Sequence, residues 1–169
     1  AALIAIFSWW FFTGIILLVV RRKDVAGATA HGASVVWGVP LLALGIFGAV
    51  ISAASLTVAN IYISFFSVLL IWGWIELAFL SGVITGPLRN SCPKSLRGWA
   101  RFRRAWQTVS HHEALLLSGL VLMAFIAFDA ANPLGFWAYF ILFAARISAK
   151  LNLFFGVPRI NLEFIPQPL

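Results

Sequence analysis

The chain has 169 residues, of which 62% are hydrophobic and 10% charged, with a net charge of +7 and a mean hydropathy of +0.99. A soluble domain carries about a quarter charged residues, so water is excluded as the main solvent. The basic balance does not point to nucleic acid. The twelve Lys and Arg residues sit in short clusters between long apolar runs, which is the pattern of cytoplasmic flanks beside membrane spans.

A helical span needs about 20 apolar residues to cross a hydrocarbon core about 30 Å thick. In chain order, the first candidate runs from Ala1 to Val20 and is closed by Arg21-Arg22-Lys23-Asp24. It has no small-residue cleavage site after a short apolar core, so it reads as a span and not as a signal peptide. The second runs from Ser34 to Ala54, with Pro40 inside it as a candidate kink. The third runs from Val58 to Thr85 and stops at Gly86-Pro87, and the fourth runs from Ala105 to Phe128, before Asn132-Pro133. The fifth runs from Gly135 to Phe155 and stops at Gly156-Val157-Pro158. Glycine and proline after apolar runs are ordinary helix stops. The expected fold is all-α: one polytopic transmembrane bundle of about five helices over residues 1–169, with a basic cytoplasmic loop at 86–104. The chain begins at Ala1 and not at Met, so a piece of a longer protein is expected.

The connections set the orientation. Arg21, Arg22 and Lys23 follow the first run; Arg89, Lys94, Arg97, Arg101, Arg103 and Arg104 fall between the third and fourth; Arg146, Lys150 and Arg159 close the fifth. The other two turns hold no Lys or Arg. With five crossings and a periplasmic N-terminus, all the cations reach one face, which the positive-inside rule assigns to the cytoplasm. Trp37, Trp99, Trp106 and Trp137 fall near the expected interfaces, whereas Trp72 and Trp74 lie inside the third run and do not fit that use.

Ionisable groups at membrane depth are costly and mark partners or pathways. Glu76, His111, His112, Glu113, Arg146, Lys150 and Asn152 all trace to the cytoplasmic half, so an ion-paired polar cluster joining the third, fourth and fifth helices is expected. Arg146 and Lys150 share a helix face. The plain reading is mutual neutralisation that fixes which helices pack; a proton path, an enzyme centre or contact with a partner or pigment stays open. Long side chains near a helix end can also snorkel to the headgroups. His111 or His112 could ligate the magnesium of a chlorin, but adjacent residues point about 100° apart, so they cannot share one ligand. His31 reads as an ordinary solvated side chain. The basic loop Arg89, Lys94, Arg97, Arg101, Arg103 and Arg104 suits anionic lipid or an acidic partner surface.

Cys92 is the sole cysteine, which excludes an intrachain disulfide and a multi-cysteine metal site. No Gly-rich phosphate loop, nucleophile elbow or His-Glu-x-x-His helix is present, and three histidines are too few for a membrane di-iron centre. No catalytic or metal site is expected, and the chain is not read as an enzyme.

The run Trp72-Gly73-Trp74-Ile75-Glu76-Leu77-Ala78-Phe79-Leu80-Ser81-Gly82, then Thr85-Gly86-Pro87 and Cys92-Pro93, resembles the photosynthetic complex assembly protein PuhE family. So do Arg97-Gly98-Trp99, Arg101-Phe102-Arg103, His111-His112-Glu113, Arg146 to Asn152, Gly156-Val157-Pro158 and Glu163-Phe164. Trp9-Trp10-Phe11-Phe12-Thr13-Gly14 looks like the family's first-helix signature. The match covers most of the chain and is clearest from Trp72 to Phe164. The resemblance implies an accessory subunit or assembly factor beside the reaction centre and light-harvesting antenna of a phototrophic bacterium, in the inner, intracytoplasmic membrane. Its implied partners are reaction-centre and light-harvesting polypeptides and membrane lipids, with bacteriochlorophyll or carotenoid as candidate ligands at the lipid-facing surface. Family members continue beyond the position of Leu169 with further apolar spans. Ile75 stands where a polar residue is expected, which weakens a conducting path past Glu76. A pigment-handling protein and a proton-linked transporter or enzyme using Glu76, Glu113 and Arg146 are the alternatives. Gly14, Gly38, Gly45, Gly48 and Gly119 are expected to let helices approach closely.

Overall fold

The computed structural model describes residues 2–26, 29–88 and 95–156. Arg89, Cys92, Lys94 and Arg159 fall outside them. Among the described residues the chain forms five helices and no strand: α1 (Ala2–Ala26), α2 (Thr29–Ser52), α3 (Val58–Leu80), α4 (Gly98–Ala127) and α5 (Leu134–Gly156). Each is long and apolar enough to cross a membrane, and a multi-pass membrane protein is the architecture that fits them.

α2 begins at Thr29, before the expected Ser34, and two other helices overrun the apolar segments further. α1 continues through Arg21-Arg22-Lys23-Asp24, and α4 takes in residues 98–104, which the sequence assigned to a loop. Arg and Lys are good helix formers, so charge ends an apolar span without ending the helix. Arg97 flanks α4 in an extended conformation and Gly98 follows at φ 53°, a geometry that suits glycine. α3 ends earlier than expected, at Leu80. Gly82 (φ 68°) donates its N–H to the Phe79 carbonyl at 2.8 Å and Val83 donates to Ala78 at 3.1 Å, a Schellman closure.

α3 is the central helix. Half of its apolar window is buried (50%), against 11% for α1 and for α5. Val68, Ile71, Trp72 and Ile75 of α3 form the core with Ala49, Leu116, Met123 and Tyr139. Without a hydrophobic drive between helices in lipid, close packing and hydrogen bonds hold them. α2 meets α3 most extensively, through glycines: a Cβ at Gly45 would lie 2.9 Å from the Ser67 carbonyl oxygen, and one at Gly48 would strike the Ser67 hydroxyl. Gly14, by contrast, has nothing within 4 Å, so its expected packing role is not found.

The two tryptophans that did not suit an interface are packing residues. Trp72 meets Tyr139 edge-on, with centroids 5.3 Å apart. Trp74 lies across Gly38 and donates its indole N–H to the Val35 carbonyl at 3.0 Å, one turn before Pro40.

Asn132 ties together the end farthest from the described cations. Its amide donates to the carbonyls of Ser52 (3.0 Å) and Asn60 (3.3 Å), its backbone N–H donates to Ala53 (3.1 Å), and its side-chain oxygen accepts from the Leu134 N–H (3.2 Å). One residue thus serves the end of α2, the start of α3 and the first turn of α5.

Candidate functional site

Apart from Asp129, the charged side chains among the described residues lie toward the opposite end of the bundle. Glu76 sits one turn before the end of α3, and the irregular segment that follows runs beside α4. There the Thr85 carbonyl accepts the His112 N–H at 3.0 Å. Gly86 lies so close to α4 that a Cβ would stand 2.7 Å from the Thr108 carbonyl oxygen. Non-helical backbone at this depth is tolerated where protein encloses it, and Ser81, Thr85 and Gly86 are buried. This contact fixes the height at which His112 and Glu113 meet Glu76.

Five of the expected cluster residues come together. Arg146 pairs with Glu76 at 3.2 Å, and Lys150 pairs with Glu113. His112 is fully enclosed between the two acids, its Nε2 3.8 Å from Glu76 and its Nδ1 3.4 Å from Glu113. Neither ring nitrogen makes a hydrogen bond. Two carboxylates face two cations, so the layer is balanced with a neutral imidazole, as the cost of burying net charge demands.

Phe79 completes the layer. It stands one turn beyond Glu76, its ring 4.2 Å from the His112 ring and 31° from parallel. Arg146 and Lys150 approach the same ring, at 5.5 and 6.0 Å from its centroid. A cation over an aromatic face gains electrostatic attraction, so Phe79 acts as the common floor for both ion pairs. Sequence reasoning gave it no role, although its i+3 spacing from Glu76 was the available signal.

Two expected members are absent from the cluster. His111 is exposed on the outside of α4, and Asn152 is exposed on α5 and takes part in none of these pairs. For His111 the reason is the 100° step between neighbours; for Asn152, the face of α5 carrying Arg146 and Lys150 has turned away. His31 departs in the other direction. It is buried and pairs with Asp24 at 3.2 Å, joining α1 to α2. The packing of α1 against α2 brings the two residues together, which their spacing along the chain did not reveal. Arg97, Arg101 and Arg103 are exposed and Arg104 is half-buried, at the start of α4.

α4 also presents a polar outward stripe. Gln107, His111, Ala114, Ser118, Val121 and Phe125 are all exposed and alternate at four- and three-residue steps, the spacing of a helix-docking seam. Neither the Gln107 amide nor the His111 imidazole makes a hydrogen bond among the described residues. Of the two adjacent histidines, only His111 could reach a ligand or helix outside the bundle. Among the described residues, no three His, Cys, Asp or Glu side chains are arranged to hold a metal ion.

The family described as "Protein of unknown function (DUF3623)" matches residues 1–169. A relative from Rhodobacter capsulatus, an "Uncharacterized 30.4 kDa protein in puhA 5'region", is 48% identical over 168 residues. That alignment covers 99% of this chain and 61% of the relative, so the chain spans about three-fifths of the relative's length. No solved structure matches.

Proposed function

We propose that this chain, which belongs to the DUF3623 family, is a membrane accessory subunit or assembly factor of a bacterial photosynthetic reaction-centre–light-harvesting complex and works by helix packing. The observation that carries the packing mechanism is the division of polar residues in α4. The inward Glu113 is ion-paired with Lys150 and the inward His112 is enclosed between two carboxylates, whereas Gln107 and His111 face outward without a partner among the described residues. Unsatisfied polar groups facing hydrocarbon are costly, and small and polar side chains are the usual contents of a helix–helix seam in membranes. The placement in photosynthesis rests on the PuhE resemblance and on the relative from the puhA 5' region. The described cations gather at one end of the bundle, which the positive-inside rule assigns to the cytoplasm.

Affinity purification of the tagged chain from a phototrophic host in mild detergent tests this reading. Reaction-centre or antenna polypeptides are expected to co-purify. Gln107→Leu with His111→Leu should weaken that association at unchanged abundance of the chain. Unaltered co-purification by this double variant, or no such polypeptides with the wild type, would overturn it.

A second reading has one observation in its favour. His111 presents an imidazole on the outer surface, where a nitrogen could ligate the magnesium of a chlorin; His112, enclosed between acids, does not fit that task. Pigment lost from the purified protein in His111→Leu and kept in His112→Leu would favour it.

A further inference from the structure

The outward stripe of α4 continues past Gln107 to Arg103, one turn nearer the charged end. Arg103, Gln107 and His111 follow one another at four-residue steps, are all exposed, and have no partner among the described residues. Each offers an N–H donor along one line of the helix surface. In the other direction the stripe passes to Ala114 and Ser118, whose hydroxyl already donates to the Ala114 carbonyl at 2.8 Å. The open polar demand of the seam therefore lies at its charged end.

α4 has 30 residues, which at 1.5 Å per residue is about 45 Å, against a hydrocarbon core of about 30 Å. Its far end meets Asp129 and the Asn132 bonds, so the excess of about ten residues lies at the charged end. Gln107 then stands at the hydrocarbon border, with Arg103 about 6 Å outside it and His111 about 6 Å inside. Water and headgroups reach Arg103. They do not reach His111, whose donor needs an acceptor from a neighbouring helix. Charge selects that acceptor. Residues 95–112 contain no Asp or Glu, and the described acids are engaged elsewhere: Asp24 with His31, Glu76 with Arg146 and Glu113 with Lys150, while Asp129 lies at the far end.

We infer that the helix received by this seam comes from another polypeptide and carries an Asp or Glu at the level of Gln107; this rests on the docking reading of the seam given above. One carboxylate has two oxygens and about four lone-pair sites. It can accept from the Gln107 amide while His111 donates from one side and Arg103 from the other. Charge-assisted hydrogen bonds of this kind are stronger than neutral ones, and the guanidinium balances the acid. A second copy of this chain does not supply that group. Two parallel copies about a twofold axis would set Arg103 against Arg103, and the like charges repel.

The test expresses the full tagged chain in a phototrophic host with a charge series at Gln107, an exposed position. Gln107→Glu sets acid against acid and should lower the co-purified partner about tenfold at unchanged abundance of the chain. Gln107→Lys should keep it within about twofold of the wild type. A membrane-permeant carbodiimide should then join the Gln107→Lys amine to the partner's carboxylate as an amide, the carbodiimide taking up the water and leaving as its urea. Mass spectrometry should map that amide to an Asp or Glu in an apolar helix of the partner, and Gln107→Leu should give no such adduct. Equal loss in the Glu and Lys variants, no adduct in Gln107→Lys, or an adduct joining two copies of this chain would overturn the acidic partner. Equal loss would leave docking at the seam standing, whereas a wild type that brings down no reaction-centre or antenna polypeptide would remove both.

Discussion

Tyr139 of α5 lies directly over Gly119 of α4. Its hydroxyl occupies the space that a Cβ at residue 119 would need, and it donates to the Leu116 carbonyl at 3.0 Å. The bare glycine is therefore what allows α4 and α5 to close above the charged layer, with Trp72 meeting the same ring edge-on.

Gly119→Ala should accordingly destabilise the bundle by about 1–3 kcal/mol through overpacking and loss of the tyrosine hydrogen bond. Gly14→Ala, at a position with open space around it, should be neutral or slightly stabilising through helix propensity. Reversible unfolding of both variants in mixed micelles reads the difference, and equal midpoints would contradict this account of the α4–α5 contact.

Glu76→Gln strands Arg146 in the layer. Removing one member of a buried pair costs about 3–5 kcal/mol, so abundance of the chain should fall sharply. Arg146→Gln alone should do similar harm. The double variant should recover much of the loss, because no unmatched charge remains. A double variant no better than the sum of the singles would mean that the two residues do not depend on one another. Full abundance with lost function in Glu76→Gln alone would instead argue for a chemical role.

Asn132→Leu should cost about 2 kcal/mol, since it removes the side-chain bonds to Ser52, Asn60 and Leu134 at a buried site. The damage should appear at one end only. Hydrogen exchange is expected to rise at the α2–α3 turn and the start of α5, and to stay unchanged around Glu76 and His112.

Sidedness can be read with the single cysteine. Cys92 should react with a membrane-impermeant maleimide in inside-out vesicles and not in spheroplasts. Ala131→Cys, in a Cys92→Ser background, should show the reverse. Labelling of Cys92 from the periplasmic side would invert the proposed topology.

The residues of the charged layer were legible because ionisable side chains are conspicuous in apolar helices. Glu76, Glu113, Arg146 and Lys150 could be assigned to one level by counting along each span. Their pairing was not legible, and neither was the role of Phe79 beneath both cations, since that depends on the rotation of three helices at once. His31 was misread because its partner, Asp24, lies on a different helix and became its neighbour only when α1 and α2 folded together. Gly14 and Gly119 look alike in sequence; only the second has a tyrosine above it.

What the amino-acid sequence determined alone is the set of spans and the gathering of cations at alternate connections. Hydrocarbon imposes its length and charge requirements on each segment separately, so these features are local. The tertiary structure decided which side of each helix faces inward. Apolar residues lie all round α1, α2 and α3, and periodicity therefore leaves their rotation open. The packing of α4 against α3 and α5 placed His112 between two acids and turned His111 outward, although the two residues differ by a single step along the chain.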